Sequence, residues 1–234
     1  MINGRTKHHL QKRRSQGRYL ARGTLALGVC VLCFAVPEVI QAANAPSSYL
    51  ELRYSHVVDQ TTEVSCGAAA IATLLTYFYD TVVAENEMMD LALASMVTQS
   101  KTASYEHGVT AYDLRVALAA KGLDSKGFLV EPAALRDYFA RGGLPVVIHI
   151  AKPERHFEVA VGMIGNQLIL ADPAWGRSVV QLTWFVETRG YTGVVLVPLP
   201  VAGLARCAGA RQAEGLNWAR DELKALRELR EALP

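Results

Sequence analysis

Cysteine is scarce in this chain, and what is missing alongside it narrows the chemistry. Four cysteines in 234 residues are too few for a disulfide framework. No Cys/His spacing suits a metal, nothing implies a cofactor, and no Gly-x4-Gly-Lys-Ser/Thr loop is present to cradle a phosphate. There is no internal repeat. The most apolar run, residues 23–36, is short against the roughly 20 residues needed to cross a bilayer. Acidic residues are absent before Glu38, while Arg5, Lys7, Lys12, Arg13, Arg14, Arg18 and Arg22 crowd the same stretch. With residues 1–42 set aside, acids outnumber bases by about four, so no polycationic surface remains for nucleic acid.

That front segment has the order of a secretory signal. A basic region ends at Arg22, an uncharged apolar run follows to Val36, Pro37-Glu38 breaks it, and Gln41-Ala42-Ala43 offers small residues for cleavage. The alternative is an uncleaved anchor in the inner membrane. Both readings place the rest of the chain in the periplasm. Cys30 and Cys33 leave with a cleaved signal, which leaves Cys66 and Cys207. In an oxidising compartment those two can pair with each other.

The length and a hydrophobic content of 51% suit one good core with appendages. We read residues 1–42 as signal or anchor, 43–200 as one domain, and 201–234 as linker plus helix. After a short lead-in, helical patterns cover 66–79 and 80–97, then run from Thr110 to Gly122 and from Pro132 to Gly143. Residues 127–130 form a short strand candidate. From Leu144 the character turns β-rich, with runs at 145–150, 157–164, 168–171, 179–182 and 193–197. Gly165-Asn166, Trp175-Gly176-Arg177 and Arg189-Gly190 are the turns between them. Tight connections imply an antiparallel sheet, and helices first with a sheet second is an α+β plan. Residues 202–215 are small and loosely patterned, as in a linker. Leu216, Ala219, Leu223, Leu226, Leu229 and Leu233 then mark one side of a charged helix, a face for its own domain or for a partner.

The stretch with the clearest chemistry is Gln60-Thr61-Thr62-Glu63-Val64-Ser65-Cys66-Gly67, running into an Ala/Leu-rich helix. Ser65 is a plausible N-cap, which sets Cys66 at the first turn. Unpaired N–H groups and the positive helix end favour a thiolate there. Gly67 lets a substrate carbonyl approach the backbone, and the Gln60 amide can donate to a developing oxyanion. The candidate bases are His56, His107, His149 and His156. His156 starts a strand, where its ring can project toward a helix N-terminus, and Asp172 ends a neighbouring strand, where its carboxylate can orient that ring. His149 is the runner-up, placed mid-strand. His107 lies in a polar loop.

Gln60-x5-Cys66-Gly67-Ala68-Ala69, His156-Phe157-Glu158-Val159-Ala160-Val161-Gly162 and Asp172-Pro173-Ala174-Trp175-Gly176 resemble the three motifs of the bacteriocin-processing, double-glycine leader peptidases. The resemblance covers about residues 57–199, in order and without large gaps. It implies a papain-like fold and carries over Cys66 as nucleophile, His156 as base, Asp172 as its orienting acid, and Gln60 with the Cys66 N–H as oxyanion hole. The best-known members are N-terminal domains of ATP-driven exporters, whereas this chain lacks a transmembrane bundle and a phosphate loop. Its layout is similar to the exported, stand-alone peptidase-like component of functional-amyloid (Fap) secretion operons.

The expected function is therefore an exported cysteine endopeptidase acting on a secreted or amyloid-type polypeptide, with an amyloid subunit or an outer-membrane secretion component as partner. The alternative is a peptidase-fold module that holds an export client without cutting it. Acyl transfer to an amine would use the same acyl-enzyme, and a Cys66–Cys207 disulfide would make the thiol latent.

Overall fold

The computed structural model describes residues 48–98 and 108–233. The targeting segment and His107 lie outside the described residues. The chain runs α1 (Tyr49–Tyr54), α2 (Cys66–Phe78), α3 (Glu85–Thr98), α4 (Ala111–Ala120), β1 (Ser125–Leu129), α5 (Pro132–Ala140), β2 (Val146–Ile150), β3 (His156–Ile164), β4 (Gln167–Asp172), β5 (Gly176–Gln181), α6 (Leu182–Trp184), β6 (Tyr191–Pro198) and α7 (Ala202–Ala232). This is the expected α+β plan. The strands form one antiparallel sheet in the order β1-β6-β2-β3-β4-β5. β2 to β5 follow one another as a meander, and β6 returns to lie between β2 and β1.

The central strands read as unbroken apolar runs because both faces of the sheet are covered. Val147, Val159, Val161, Ile169 and Ala171 pack with α2 on one side. Val146, Ile148, Ile150, Ala160, Leu168 and Leu170 pack with Leu135 of α5 and Phe185 on the other. α2 is the helix at the centre. Residues 66–75 are all buried, and residues 68–72 have no exposed surface. A mostly apolar, Ala-rich helix with no charged residue has no polar stripe to show solvent, so it is surrounded: the sheet on one side, α3, α4 and α7 on others. Burying Ile71, Leu74 and Leu75 stabilises the fold by about 1.5–3 kcal/mol each. Gly67 serves this packing, since a Cβ there would sit 3.0 Å from Val109 Cγ2 and 3.1 Å from Leu114 Cδ1.

Two local expectations are corrected. Residues 182–190 are helical, with α6 continuing as a π-helical turn over Phe185–Gly190. Leu182 ends no strand; it is a buried helical residue, seated in the α5-side core with Phe185. The supposed linker 202–215 is the first half of α7, continuous with the helix beyond it. Small residues read as linker in sequence because they carry no apolar stripe, yet they permit close approach. Gly215 lies where a Cβ would be 3.2 Å from Val161 Cγ1. A bulge in β3 leaves Val161 outside the ladder. Gln212 Nε2 donates to the Val161 carbonyl at 2.7 Å and to the Gly143 carbonyl at 2.8 Å. α7 is thus part of the domain up to about Ala219. Beyond it Leu226, Leu229 and Leu233 are exposed. Among the described residues no helix is long and apolar enough to cross a membrane.

Candidate active site

Cys66 opens α2 and is 6% exposed. Ser65 stands before it as expected, but its side chain does not cap the helix. Its Oγ accepts from the Thr62 N–H at 3.0 Å and donates to the Thr62 carbonyl at 2.9 Å, closing the loop ahead of the cysteine. The first N–H groups of α2 are left without a side-chain acceptor from Ser65, which keeps them available to an anion. Buried Glu85 of α3 ties down the same loop, accepting from the Thr61 N–H at 2.8 Å and the Thr61 hydroxyl at 2.6 Å. Gln60 is bound at both ends. Its N–H donates to the Pro173 carbonyl at 3.1 Å, and its Nε2 donates to the Thr62 carbonyl at 3.0 Å. Among the described residues that leaves one amide hydrogen uncommitted, and a buried Oε1 without a partner.

The sheet supplies the other half. β3 begins at His156 and β4 ends at Asp172, and the antiparallel register brings these two strand ends together. His156 Nε2 lies 2.7 Å from Asp172 Oδ1. A carboxylate only accepts, so Nε2 is the donor and Nδ1 is the nitrogen left for the thiol. Asp172 is 1% exposed. Its Oδ1 also accepts from the Ala174 N–H at 2.8 Å, and its Oδ2 accepts from Arg189 at 3.1 Å. Burial works against a charged His156 ring, but hydrogen bonds and charge from Asp172 and Cys66 outweigh it and push its pKa up to about 10. Burial likewise opposes a charged Asp172, and hydrogen bonds from His156, Ala174 and Arg189 overcome that and hold its pKa below the usual value. A ring that keeps its proton at neutral pH beside a thiol is the setting in which thiolates form.

Two residues of this cluster went unread in the sequence. Glu158 follows His156 by two positions and has no exposed surface. Neither of its oxygens has a hydrogen-bond partner among the described residues. Arg189 comes from the π-helical turn and reaches between the acids, 3.1 Å from Asp172 and 3.9 Å from Glu158. Burial raises the Glu158 pKa, the Asp172 charge adds to that, and Arg189 and His156 oppose it. Asp172 has three hydrogen-bond donors and Glu158 has none among the described residues, so the charge rests on Asp172 and the proton on the more deeply buried Glu158. The signal for Glu158 was present, an acid inside the apolar run from Phe157 to Gly162. Arg189 carried none, since an arginine before a glycine reads as an ordinary turn.

The remaining histidines fall elsewhere. His149 has Thr192, and no carboxylate among the described residues, as the hydrogen-bond partner of its ring. His56 sits at φ 63°, edge-on to Tyr77 at 5.4 Å. It lines a small cavity of about 150 Å³ with Arg177 and Trp218, and that cavity holds none of the residues above. Cys66 instead opens on a cleft of about 740 Å³. Glu63, Val64 and Gly108 form one wall; His149, Arg155 and Phe157 form the other. Cys66 and Cys207 are both free thiols. Among the described residues no group of three or more His, Cys, Asp or Glu is placed to hold a metal.

Comparison with known proteins gives the family and the fold. A probable functional amyloid protease, FapD of Pseudomonas aeruginosa, is 28% identical over 149 residues, covering 63% of this chain. The match spans 62% of that relative, under two thirds of its length. A double glycine motif protease from an AMS/PCAT transporter, solved with its leader peptide, superposes with a TM-score of 0.51 at 27% identity. It covers 62% of this chain and 91% of that structure. The peptidase domain of Streptococcus ComA, a transporter in quorum sensing, has the same TM-score at 21% identity, covering 62% of this chain and 98% of that one, and shows the shared papain-like fold. Residues 54–202 match the Peptidase C39 family. A match running from Tyr54 to Ala202 takes in well over half of the chain, and on that ground the chain belongs to the Peptidase C39 family.

Proposed function

We propose that this chain is an exported endopeptidase that cuts a secreted, amyloid-type polypeptide through Cys66, His156 and Asp172. The observation that carries the assignment of roles is the 2.7 Å bond from His156 Nε2 to Asp172, with Cys66 adding to the proton affinity of the same ring. The Cys66 thiolate attacks the scissile carbonyl, and the negative oxygen is received by the Gln60 amide and the N–H groups at the start of α2. His156 passes its proton to the departing amine, the C–N bond breaks, and an acyl-thioester remains on Cys66. A water molecule then gives its proton to His156 and its oxygen to the acyl carbon. Cys66 leaves as thiolate and the acid product departs. Asp172 holds the ring in place throughout, whether it carries one proton or two.

The amyloid reading is supported by the name of the Pseudomonas relative. Export to the periplasm is supported by the basic region, apolar run and small residues of the first 43 positions. The test is the alkylation rate of Cys66 in unreduced mature protein from pH 5 to 9, with the labelled site located by mass spectrometry. Rapid labelling at pH 5–6 that slows in His156→Ala is the expected result. Labelling that rises only near the pKa of an ordinary thiol, about 8.5, would sink the paired thiolate. Protein labelled only after reduction would show a disulfide in its place.

A further inference from the structure

The cleft contains a second imidazole that the mechanism above does not use, and its hydrogen bonds specify which way it works. Thr192 Oγ1 lies 3.0 Å from the His149 carbonyl and 3.0 Å from His149 Nδ1. A carbonyl only accepts, so the single hydroxyl hydrogen of Thr192 is committed to it. The same oxygen can then only accept from the ring, which places the ring proton on Nδ1. His149 Nε2 is left as a bare lone pair. The structure gives it no partner among the described residues, and the ring lines the cleft that opens on Cys66. Phe157 packs beside it with ring centroids 4.7 Å apart, which limits how the imidazole can turn. Burial lowers the proton affinity of His149, and the charges of Arg155 and His156 lower it further, so the ring stays neutral.

We propose, building on the peptidase reading, that His149 is a specificity residue of the cleft: its Nε2 accepts a hydrogen bond from an uncharged donor side chain, a hydroxyl or a carboxamide, on the bound polypeptide. The class follows from the surroundings. An aliphatic side chain would leave the Nε2 lone pair stripped of water and unpaired, and an acidic one brings no donor. Arg155 and the protonated His156 both act on this ring, so a lysine or arginine would bring a third positive charge to the same wall. Thr192, on β6, acts through His149 by holding its tautomer.

The experiment digests a synthetic random-sequence peptide mixture with the mature protein and profiles the residues flanking each cut by mass spectrometry. Wild type should enrich Ser, Thr, Asn or Gln at one fixed position from the cut. His149→Phe should abolish that enrichment and raise KM about tenfold on a peptide carrying the preferred residue, the size of one hydrogen bond. Its kcat and its Cys66 alkylation rate should stay unchanged. Thr192→Val should weaken the enrichment and Thr192→Ser should retain it, which covers the case of a poorly folded His149→Phe. Enrichment that survives His149→Phe, or a Thr192→Val profile equal to wild type, overturns the proposal and leaves the peptidase reading standing. Alkylation slowed in His149→Phe also overturns it, because the ring would then be serving the thiolate. A wild type that cuts nothing overturns both.

Discussion

The active centre has two halves built by different rules. The helical half is local: Gln60 to Gly67 is a single stretch, and α2 carries Cys66 because its own residues form a buried helix that starts there. The sheet half is assembled from positions 156, 158, 172 and 189, which meet only because β3 pairs with β4 and a π-helical turn folds back over the strand ends. In the proposed mechanism the first half supplies the nucleophile and the second the protonated ring that faces it. A helix start by itself favours an anion by only about 0.3–1 kcal/mol, so the strong electrostatics must come from the non-local half.

The sharpest way to break that comparison is to remove one member from each side. Cys66→Ala and His156→Ala should each lower kcat/KM on a cleaved peptide by about 10⁴-fold or more, since nucleophile and base act as a unit. The double variant should be no worse than either, and additive losses would show that the halves work separately. Arg189→Met strikes the sheet half alone. It removes the guanidinium that bridges Glu158 and Asp172, and should cost about 3–5 kcal/mol in denaturant unfolding, together with slower Cys66 alkylation. Alkylation at the wild-type rate would show that the thiolate needs nothing from this pair of acids.

Gln212→Ala should have a smaller effect, about 1–3 kcal/mol, because it leaves the carbonyls of Val161 and Gly143 without their donor. Unfolding at the wild-type midpoint would mean that α7 is an appendage after all. Glu158→Gln should be the mildest, and its effect depends on pH. A carboxyl whose pKa is raised on folding gives its stabilisation below the unfolded pKa and loses it as pH rises through the folded value. The variant should therefore gain on wild type in thermal midpoint between pH 4 and pH 8. His156 has the same sign, its contribution complete below about pH 6.5 and lost as pH rises through about 10. Asp172 has the opposite sign and fails first in acid.

Legibility followed the same division. The buried helix, the cysteine at its start, the antiparallel sheet and the strand-end His and Asp could all be read from runs and turns. Ser65 was read as a cap because serine commonly is one, but a three-residue loop to Thr62 satisfies its hydroxyl first. Residues 202–215 were read as linker because Ala and Gly show no stripe. Their role is to let α7 lie against a bulged strand, and the bulge is visible only once β3 and β4 are in register.

By itself, then, the sequence determined what can be settled within one segment. Apolar periodicity made the elements, and a helix that starts at Cys66 set its first N–H groups beside the thiol. Only the tertiary structure decided the charge state of the site. Whether a buried carboxyl holds its proton depends on the charges within a few ångströms of it, and for Glu158, Asp172, His156 and Arg189 those neighbours come from different strands and turns. The same reason governs His149, whose open nitrogen was assigned by a hydroxyl 43 residues away.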